Sequence, residues 1–347
     1  MRLEPIPNPT LARRLGLPAA ALAATVVVAS LLALLAGANP FAVLGQIVTG
    51  AVGSKFALLE TLNRATPLIF TGLAVAVAFK AKLWNIGAEA QLYAGAIVAV
   101  LLGTGAVPSP FVLPVTAVFA MLAGALVLLG PALLKTRLGV DEVVTTLLFN
   151  VIMLLFVSYL LEGPMKDPMG MGWPKSEALL KEARLPRIAE GLRLHWGFVL
   201  AMIAAVVVYV IERRTSFGFE MRAVGSNFGA ARFAGVPVNR VLIQTALLSG
   251  GLAALAGWSE VAGLKGHLSQ DLSPGFGYTG IIVAMLALLN PLAVIGTAIF
   301  VAGIFVGSDA MSRAAGVPTY IADMLLASAL LFMVLAILLT KMRVVRG

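Results

Sequence analysis

The side chains whose types and spacing point to chemistry are clustered in one polar segment, Asn85 to Gln91, within an otherwise apolar stretch. The segment carries a carboxylate, Glu89, between the carboxamides of Asn85 and Gln91. Counted from Lys82 along a helix, Glu89 lies about 10 Å into a hydrocarbon core about 30 Å thick. A carboxylate at that depth has to be neutral, paired, hydrogen-bonded or close to water. Two roles stay open for Glu89: a structural hydrogen-bond clamp, or direct contact with a substrate.

A second polar segment, 212–240, separates two long apolar stretches and contains five arginines. Within it, Ser226 or Asn227 has the side chain needed to cap a short helix. Gly235 then supplies a left-handed stop, and Pro237 blocks any continuation. A compact capped helix with a face of small residues is a surface that another protein can grip, which predicts a transporter driven by a partner subunit. The alanines of this face are Ala230, Ala231 and Ala234.

Composition indicates the class of protein in which these segments lie. Apolar residues make up 60% of 347 and charged residues 12%, whereas soluble domains contain roughly 45–50% and about 25%. The chain is therefore predicted to be an all-α polytopic membrane protein. Its net charge of +9 is spread between hydrophobic spans, so membrane topology explains it better than nucleic-acid binding. With no cysteine and two histidines in separate loops, disulfides are excluded and no metal site is predicted.

About ten spans are long enough, or nearly so, to cross a bilayer. The first is interpreted as a retained helix rather than a cleaved signal, because its apolar core is long and many spans follow. The eighth and ninth are short and meet at Asn290-Pro291, which suggests a tight hairpin or a partly re-entrant pair. The predicted spans are 19–36, 57–79, 84–102, 111–134, 143–161, 196–211, 241–262, 277–290, 291–306 and 321–340.

The distribution of lysine and arginine predicts the orientation of the spans. More of these residues fall on the side that holds the 212–240 loop, and that side is expected to be cytoplasmic. Both chain ends, 1–18 and 341–347, then lie in the cytoplasm, and the 162–195 loop lies outside. The whole chain, 1–347, is interpreted as a single transmembrane domain.

Ten spans divide into two sets of five, and an odd number per set predicts an inverted repeat. The third and eighth spans then correspond, and both carry glycine-interrupted segments, 84–91 and 275–280. Broken helices at matching positions favour a transport pathway, although glycines also permit close helix packing. Trp84, at a cytoplasmic helix start, is also typical of an interfacial anchor. The candidate pathway residues are Trp84, Asn85, Gly87, Glu89, Gln91, Thr145, Thr146, Asn150, Phe276 and Gly277.

The loop from Glu212 to Gly235 resembles the coupling segment of ABC importer permeases, in the branch that serves branched-chain amino acids, simple sugars and nucleosides. The segment Asn85 to Gln91 is similar to that of the nucleoside (guanosine-type) uptake permeases, which usually have glycine at the position of Ala90. The late segment 275–291 also resembles the family, so the likeness covers most of the chain. The matching coupling residues are Glu212, Arg213, Thr215, Gly218, Arg222, Ala223, Gly225, Asn227, Ala230, Ala231 and Gly235.

The resemblance implies an importer for nucleosides that works by alternating access. The whole chain would then be a single permease domain in a prokaryotic inner membrane. Its expected partners are a second related permease subunit, a cytoplasmic ATPase and an external substrate-binding lipoprotein facing the 162–195 loop. The chain has no phosphate-binding loop of the G-x-x-x-x-G-K-[ST] type, so ATP and Mg²⁺ would be bound by the ATPase and no cofactor by this chain. Arg222 and Asn227 would fix the geometry of the coupling helix by hydrogen bonds.

Three alternatives remain open. An ion-coupled secondary transporter also uses inverted repeats, but it would need more buried ionisable groups than Glu89. An intramembrane enzyme would need a catalytic constellation, and the sequence has none at a suitable spacing. The same ABC machine could instead carry a simple sugar.

Overall fold

The computed structural model is almost entirely helical and describes residues 2–5, 10–105, 111–188, 193–316 and 320–345. Two four-residue strands, β1 (Arg2–Pro5) and β2 (Met342–Val345), accompany the helices. The α-helices of the described residues are α1 Leu11–Leu35, α2 Pro40–Val52, α3 Lys55–Lys80, α4 Ala88–Gly103, α5 Val112–Leu138, α6 Glu142–Glu162, α7 Gly197–Arg214, α8 Ser216–Ser226, α9 Phe228–Phe233, α10 Val238–Glu260, α11 Phe276–Leu286, α12 Pro291–Ala315 and α13 Tyr320–Lys341.

Side-chain caps set the starts of several helices. Asp141 accepts a hydrogen bond from the backbone nitrogen of Val143 at 2.7 Å and begins α6. Asn39 accepts one from Phe41 at 2.9 Å and begins α2, a helix absent from the ten predicted spans. The pair Asn39-Pro40 is a recognisable start signal, because asparagine caps well and proline suits the first helical position.

The membrane character is confirmed, but the number of spans is not. Each predicted span overlaps a helix, yet in the described residues only α3, α5, α6, α10 and α12 are both long and apolar enough to cross a bilayer. A sixth is reached if α1 and α2, bent by 114° at their junction, are counted as one broken span. The five-plus-five repeat is likewise not established.

The prediction that the eighth and ninth spans are both short is wrong for the second of them. α11 has 11 residues, but α12 continues for 25. Leu288 and Leu289 between them have φ values of 51° and 58°. This left-handed pair, followed by Asn290 whose side chain accepts from the backbone nitrogen of Leu292 at 3.1 Å, makes a sharp turn. α12 then continues past Gly296, Gly303 and Gly307 and ends at Ala315, just before Gly316.

The described residues fall into two compact units. In residues 62–299, α10 packs along α4 and α5, and α4 also packs against α5 and α6. The indole nitrogen of Trp258 in α10 donates to the hydroxyl of Thr116 in α5 at 2.9 Å. The hydroxyl of Ser249 in α10 donates to the carbonyl of Ala74 in α3 at 2.7 Å. These contacts make α10 a central element of this unit, on which α3, α4 and α5 converge.

The other unit consists of residues 1–61 and 300–347. There α1 packs along α13, and the hydroxyl of Thr61 donates to the carbonyl of Ala51 at the end of α2 at 2.9 Å. β1 and β2 pair antiparallel, with Arg2 opposite Val345. The pairing brings the two ends of the described chain side by side.

Candidate functional site

The break before α4 is closed by two carboxamides that bind each other. The side-chain nitrogen of Asn85 donates to the oxygen of Gln91 at 2.9 Å, and the nitrogen of Gln91 donates back to the oxygen of Asn85 at 2.9 Å. Asn85 also donates to the hydroxyl of Ser249 at 3.0 Å and accepts from the backbone nitrogen of Gly87 at 3.0 Å. Both carboxamides are buried. Their hydrogen-bonding capacity is used within the chain.

Helix α6 supplies the other partners of the broken segment. Asn150 accepts from the backbone nitrogen of Ala90 at 2.9 Å and donates to the carbonyl of Ile86 at 2.9 Å. The hydroxyl of Thr146 accepts from the backbone nitrogen of Ile86 at 3.3 Å. Unwound backbone inside a membrane needs such partners, because water cannot satisfy its polar groups there. Asn150 and Thr146 therefore hold the break from one side as Ser249 of α10 holds it from the other.

Glu89 joins the starts of two short helices. Its carboxylate accepts from the backbone nitrogen of Gly277, in the first turn of α11, at 2.6 Å, and is also bonded by the side chain of Ser273. A Cβ at Gly277 would lie 2.7 Å from the carbonyl carbon of Ala88, too close for any residue but glycine. Phe276 beside it is buried. The N-terminal ends of α4 and α11 thus meet at one carboxylate, which suits the positive ends of their dipoles.

Two of the candidate pathway residues lie apart from this cluster. Trp84 is 44% exposed and makes an edge-on contact with Phe79, with ring centroids 4.7 Å apart. Its backbone nitrogen donates to the carboxylate of Glu142 at 3.1 Å. The hydroxyl of Thr145 bonds only the carbonyls of its own helix, at 3.2 Å each.

The segment 212–240, called the coupling segment below, contains the end of α7, then α8 and α9. Thr215 caps α8 by accepting from the backbone nitrogen of Gly218 at 3.1 Å. The carboxylate of Glu212 pairs with the ammonium of Lys80, at the end of α3, and the guanidinium of Arg222 bonds the carbonyl of Glu212. The guanidinium of Arg213 lies over the ring of Tyr209, 5.2 Å from its centroid.

The coupling segment is packed onto the turn that precedes the α4 break. Any Cβ at Gly225 would clash with the carbonyl oxygen of Lys80. The ammonium of Lys80 also donates to the carbonyl of Leu289, in the turn after α11, at 3.1 Å, and that of Lys82 to the carbonyl of Ser226 at 3.1 Å. One turn of chain, residues 80–82, therefore contacts α8 on one side and leads directly into Asn85 on the other.

Helix α9 presents an apolar side chain to its surroundings. Asn227 caps it by accepting from the backbone nitrogen of Ala230 at 3.0 Å, and Gly235 ends it with φ of +83°. Ala231 is 4% exposed and packs inward, whereas Ala230 is exposed and Phe233 is 96% exposed. The face available to another protein is thus formed by Ala230 and Phe233 rather than by Ala231.

Comparison with known proteins now decides the family. The profile described as "Branched-chain amino acid transport system / permease component" matches residues 57–337. The chain belongs to this permease family. It is accordingly a transport subunit of the ABC permease type.

Individual relatives cover nearly the whole of this permease. It is 34% identical to a glucose ABC transporter permease protein (TsgB13) of Haloferax volcanii over 95% of its own length and 89% of that protein's. It is 33% identical to a guanosine ABC transporter permease protein (NupP) of Bacillus subtilis, covering 95% and 93%. With a nucleoside ABC transporter permease protein (NupB) of Lactococcus lactis, the identity is 28% over 96% of each chain.

Four residues with central positions in this permease were not among the predicted site residues. Ser249 links α3 to the α4 break, and Glu142 pairs with Lys135. The other two are Lys80, which pairs with Glu212, and the exposed Phe233. Glu142 follows the helix-capping Asp141, and its burial depends on packing that the sequence does not reveal. Phe233 carries a usable signal, because an aromatic residue in a polar loop is a typical binding anchor.

The 162–195 loop of the permease is fastened to the chain that follows α10. Backbone hydrogen bonds run from Leu179 to Gly266 and from Leu185 to Ala262, both at 2.8 Å. The imidazole of His195 accepts from the backbone nitrogen of Gly197 at 3.1 Å and is 1% exposed. Burial lowers the pKa of His195 to about 4, so the ring is neutral in the folded protein at neutral pH.

Proposed function

We propose that this permease is the membrane-spanning subunit of an ATP-driven importer for nucleosides, coupled to a cytoplasmic ATPase through the coupling segment. The observation that carries the proposal is the geometry of α9. It is capped by its own Asn227, turns Ala231 inward and presents Phe233, which is 96% exposed, to the surroundings. A large exposed aromatic residue beside small ones is the kind of anchor that fills a pocket of a partner.

The coupling segment is connected to the α4 break through the turn at residues 80–82. Lys80 contacts Glu212 at the end of α7 and Leu289 after α11, and Lys82 contacts the end of α8. A push on α9 by a closing ATPase would move α8, and the tight contact at Gly225 leaves α8 no room to move without the 80–82 turn. That turn leads into Asn85, so the motion would reach the meeting point of α4 and α11.

Alternating access would then arise from relative movement of the two short helices joined at Glu89. Their N-terminal ends and the unwound backbone between Lys80 and Ala88 form the kind of midmembrane break that lines pathways in repeat-built transporters. In this proposal the chain crosses the membrane ten times with both ends in the cytoplasm. The pairing of β1 with β2 supports an even number of crossings, because it keeps the two ends on one side.

The proposed assembly contains three further proteins. A second, related permease would complete the pathway, the ATPase would bind ATP and Mg²⁺, and an external binding protein would deliver substrate at the 162–195 loop. Membership in an ABC permease family favours ATP over an ion gradient as the energy source. The location of each partner's binding site on this chain follows from the predicted topology, with α9 on the cytoplasmic side and the 162–195 loop outside.

A nucleoside is favoured as substrate by the two relatives named for guanosine and nucleoside transport, at 33% and 28% identity. The resemblance of the segment Asn85 to Gln91 to guanosine-type permeases points the same way. A simple sugar is the second candidate, because the relative named for glucose transport is 34% identical.

The test is uptake by liposomes that contain this permease with its three expected partners. Labelled guanosine and glucose are supplied separately, with ATP or a nonhydrolysable analogue inside. ATP-dependent uptake of guanosine is the expected result. Uptake of glucose but not of guanosine would support the ATP-driven importer and change only its assigned substrate. Uptake by this chain alone under an ion gradient would overturn the proposal.

A further inference from the structure

Asn63, in α3, has a buried carboxamide without a partner. It is 1% exposed, and neither its oxygen nor its nitrogen has a hydrogen-bond partner among the residues that the structure describes. Buried polar side chains are nearly always hydrogen-bonded, so an exception calls for a reason. In a membrane the reason has more weight, because no bulk water compensates the unpaired atoms.

The three buried threonines of this helix do not share the problem. The hydroxyls of Thr66 and Thr71 donate to carbonyls of their own helix, at 3.1 and 3.0 Å, and that of Thr61 to Ala51 at 2.9 Å. A threonine can bond its own helix in this way. The carboxamide of Asn63 instead offers a donor and an acceptor side by side, and only a partner with the complementary pair satisfies both.

Two other asparagines show what the chain does when a carboxamide is structural. Asn85 is matched by Gln91, and Asn150 by the backbone of Ile86 and Ala90. Both are 0% exposed, and their partners fix the orientation of each carboxamide. Asn63 is equally buried but makes none of these bonds, so a structural role does not account for it.

The position of Asn63 fits a pathway. Among the five spans identified, α3 has the largest buried share, 89%, and the lowest mean hydropathy, 1.4, whereas α6 is 17% buried with 2.3. A polar residue in a central membrane helix marks a route for solutes. Asn63 lies eight residues after Lys55, about 12 Å along the helix and inside a core about 30 Å thick.

We propose that Asn63 is a substrate-binding residue that pairs with the base of a nucleoside as it passes. Its nitrogen donates to a carbonyl or ring nitrogen of the base, and its oxygen accepts from a neighbouring N–H. Carboxamides make this paired contact with nucleobases elsewhere. A monosaccharide presents separate hydroxyls and no such edge. The inference rests on the proposed function, since it assigns the substrate class to a residue of the same permease.

The experiment compares Asn63→Leu with wild type in the complete four-protein transporter. Leucine has the same number and branching of side-chain heavy atoms and removes both polar atoms. KM for guanosine is expected to rise about 10-fold or more, in keeping with the loss of one paired contact. The melting temperature is expected to stay equal or to increase, because no bond within the chain is lost. Thr66→Val, on the same helix with a hydroxyl bonded internally, is the matched control and should leave both values unchanged.

The possible outcomes separate this inference from the proposed function. If wild type transports guanosine and Asn63→Leu does so with the same KM, the inference is wrong and the function stands. If Asn63→Leu melts lower and fails to assemble, Asn63 is structural, and the inference is also wrong. If wild type carries glucose but no nucleoside, the nucleoside assignment fails, and the base contact fails with it.

Discussion

Replacing Asn150 by leucine is the sharpest test of whether the polar groups around the α4 break form a clamp or contact substrate. Asn150 is 0% exposed and makes two hydrogen bonds of 2.9 Å, one to the backbone nitrogen of Ala90 and one to the carbonyl of Ile86. Leucine has the same number and branching of side-chain heavy atoms and makes neither bond. The substitution therefore leaves one backbone donor and one acceptor unpaired inside the membrane.

The size of the effect follows from these two bonds. Hydrogen bonds between membrane helices contribute about 0.6 kcal/mol on average and about 1.7 kcal/mol at most. Two of them, with buried backbone partners, give an expected loss of about 1–3 kcal/mol in the free energy of unfolding. For a chain of this size, that corresponds to a decrease of about 1.5–4 °C in melting temperature.

Melting of the purified permease, followed by size-exclusion fluorescence, measures this decrease. The matched control is Thr145→Val on the same helix, whose hydroxyl bonds only the carbonyls of Asp141 and Glu142; it should melt within about 1 °C of wild type. A variant Asn150→Leu that melts like wild type but has a raised KM for nucleoside would refute the clamp and make Asn150 a contact residue.

Three further predictions concern coupling and the 162–195 loop. Phe233→Ala should weaken binding of the ATPase by about 30-fold, or about 2 kcal/mol, because an exposed aromatic anchor is lost; Phe41→Ala, at 86% exposure outside the coupling segment, should leave the affinity measured by microscale thermophoresis unchanged. Gly225→Ala should lower uptake per ATP hydrolysed at least several-fold, since the added Cβ meets the carbonyl of Lys80, whereas Gly45→Ala meets nothing within 4 Å and should behave as wild type. Burial lowers the pKa of His195 to about 4 in the folded protein, below its value of about 6.5 in the unfolded chain. The neutral ring therefore contributes its full stabilisation above about pH 6.5, and this contribution decreases as the pH falls toward 4. Unfolding should therefore cost about 2 kcal/mol less at pH 5 than at pH 7.5, and His195→Asn should remove most of this pH dependence; equal slopes for both proteins in melts across the range would count against the assignment.

Local signals in the sequence were enough to predict the capped helix of the coupling segment. Asn227 and Gly235 act through short-range geometry, a side chain bonding three residues ahead and a backbone that turns left-handed. The positions of the helices that overlap the ten predicted spans followed from apolar runs in the same way. Glu89 stood out in the sequence as a carboxylate in an apolar stretch, but its partner Gly277 lies 188 residues away, and only the assumption of corresponding spans related the two segments.

Other features depend on tertiary packing and have no local signature. Ala230 and Ala231 are indistinguishable by type, and only the packing of α9 makes one exposed and the other buried. Glu142 and Lys80 become central because residues far away in the sequence, Trp84 and Leu289, bond to them. The length of α12 was underestimated because Asn290-Pro291 was interpreted as the middle of a hairpin between two short spans, whereas Pro291 is the first residue of a long helix.

The central claim is that α9 is the site where the ATPase acts, and cross-linking tests it most directly. The natural chain has no cysteine, so Ala230→Cys provides a single thiol on the exposed face of α9, and Phe41→Cys provides one elsewhere. In membranes that contain the whole transporter, a short bismaleimide should join Ala230→Cys to a cysteine introduced in the ATPase surface, with a yield that changes when ATP is added, and should not join Phe41→Cys. Absence of the Ala230 cross-link, or labelling of that thiol by a membrane-impermeant maleimide from outside the cell, would contradict the account.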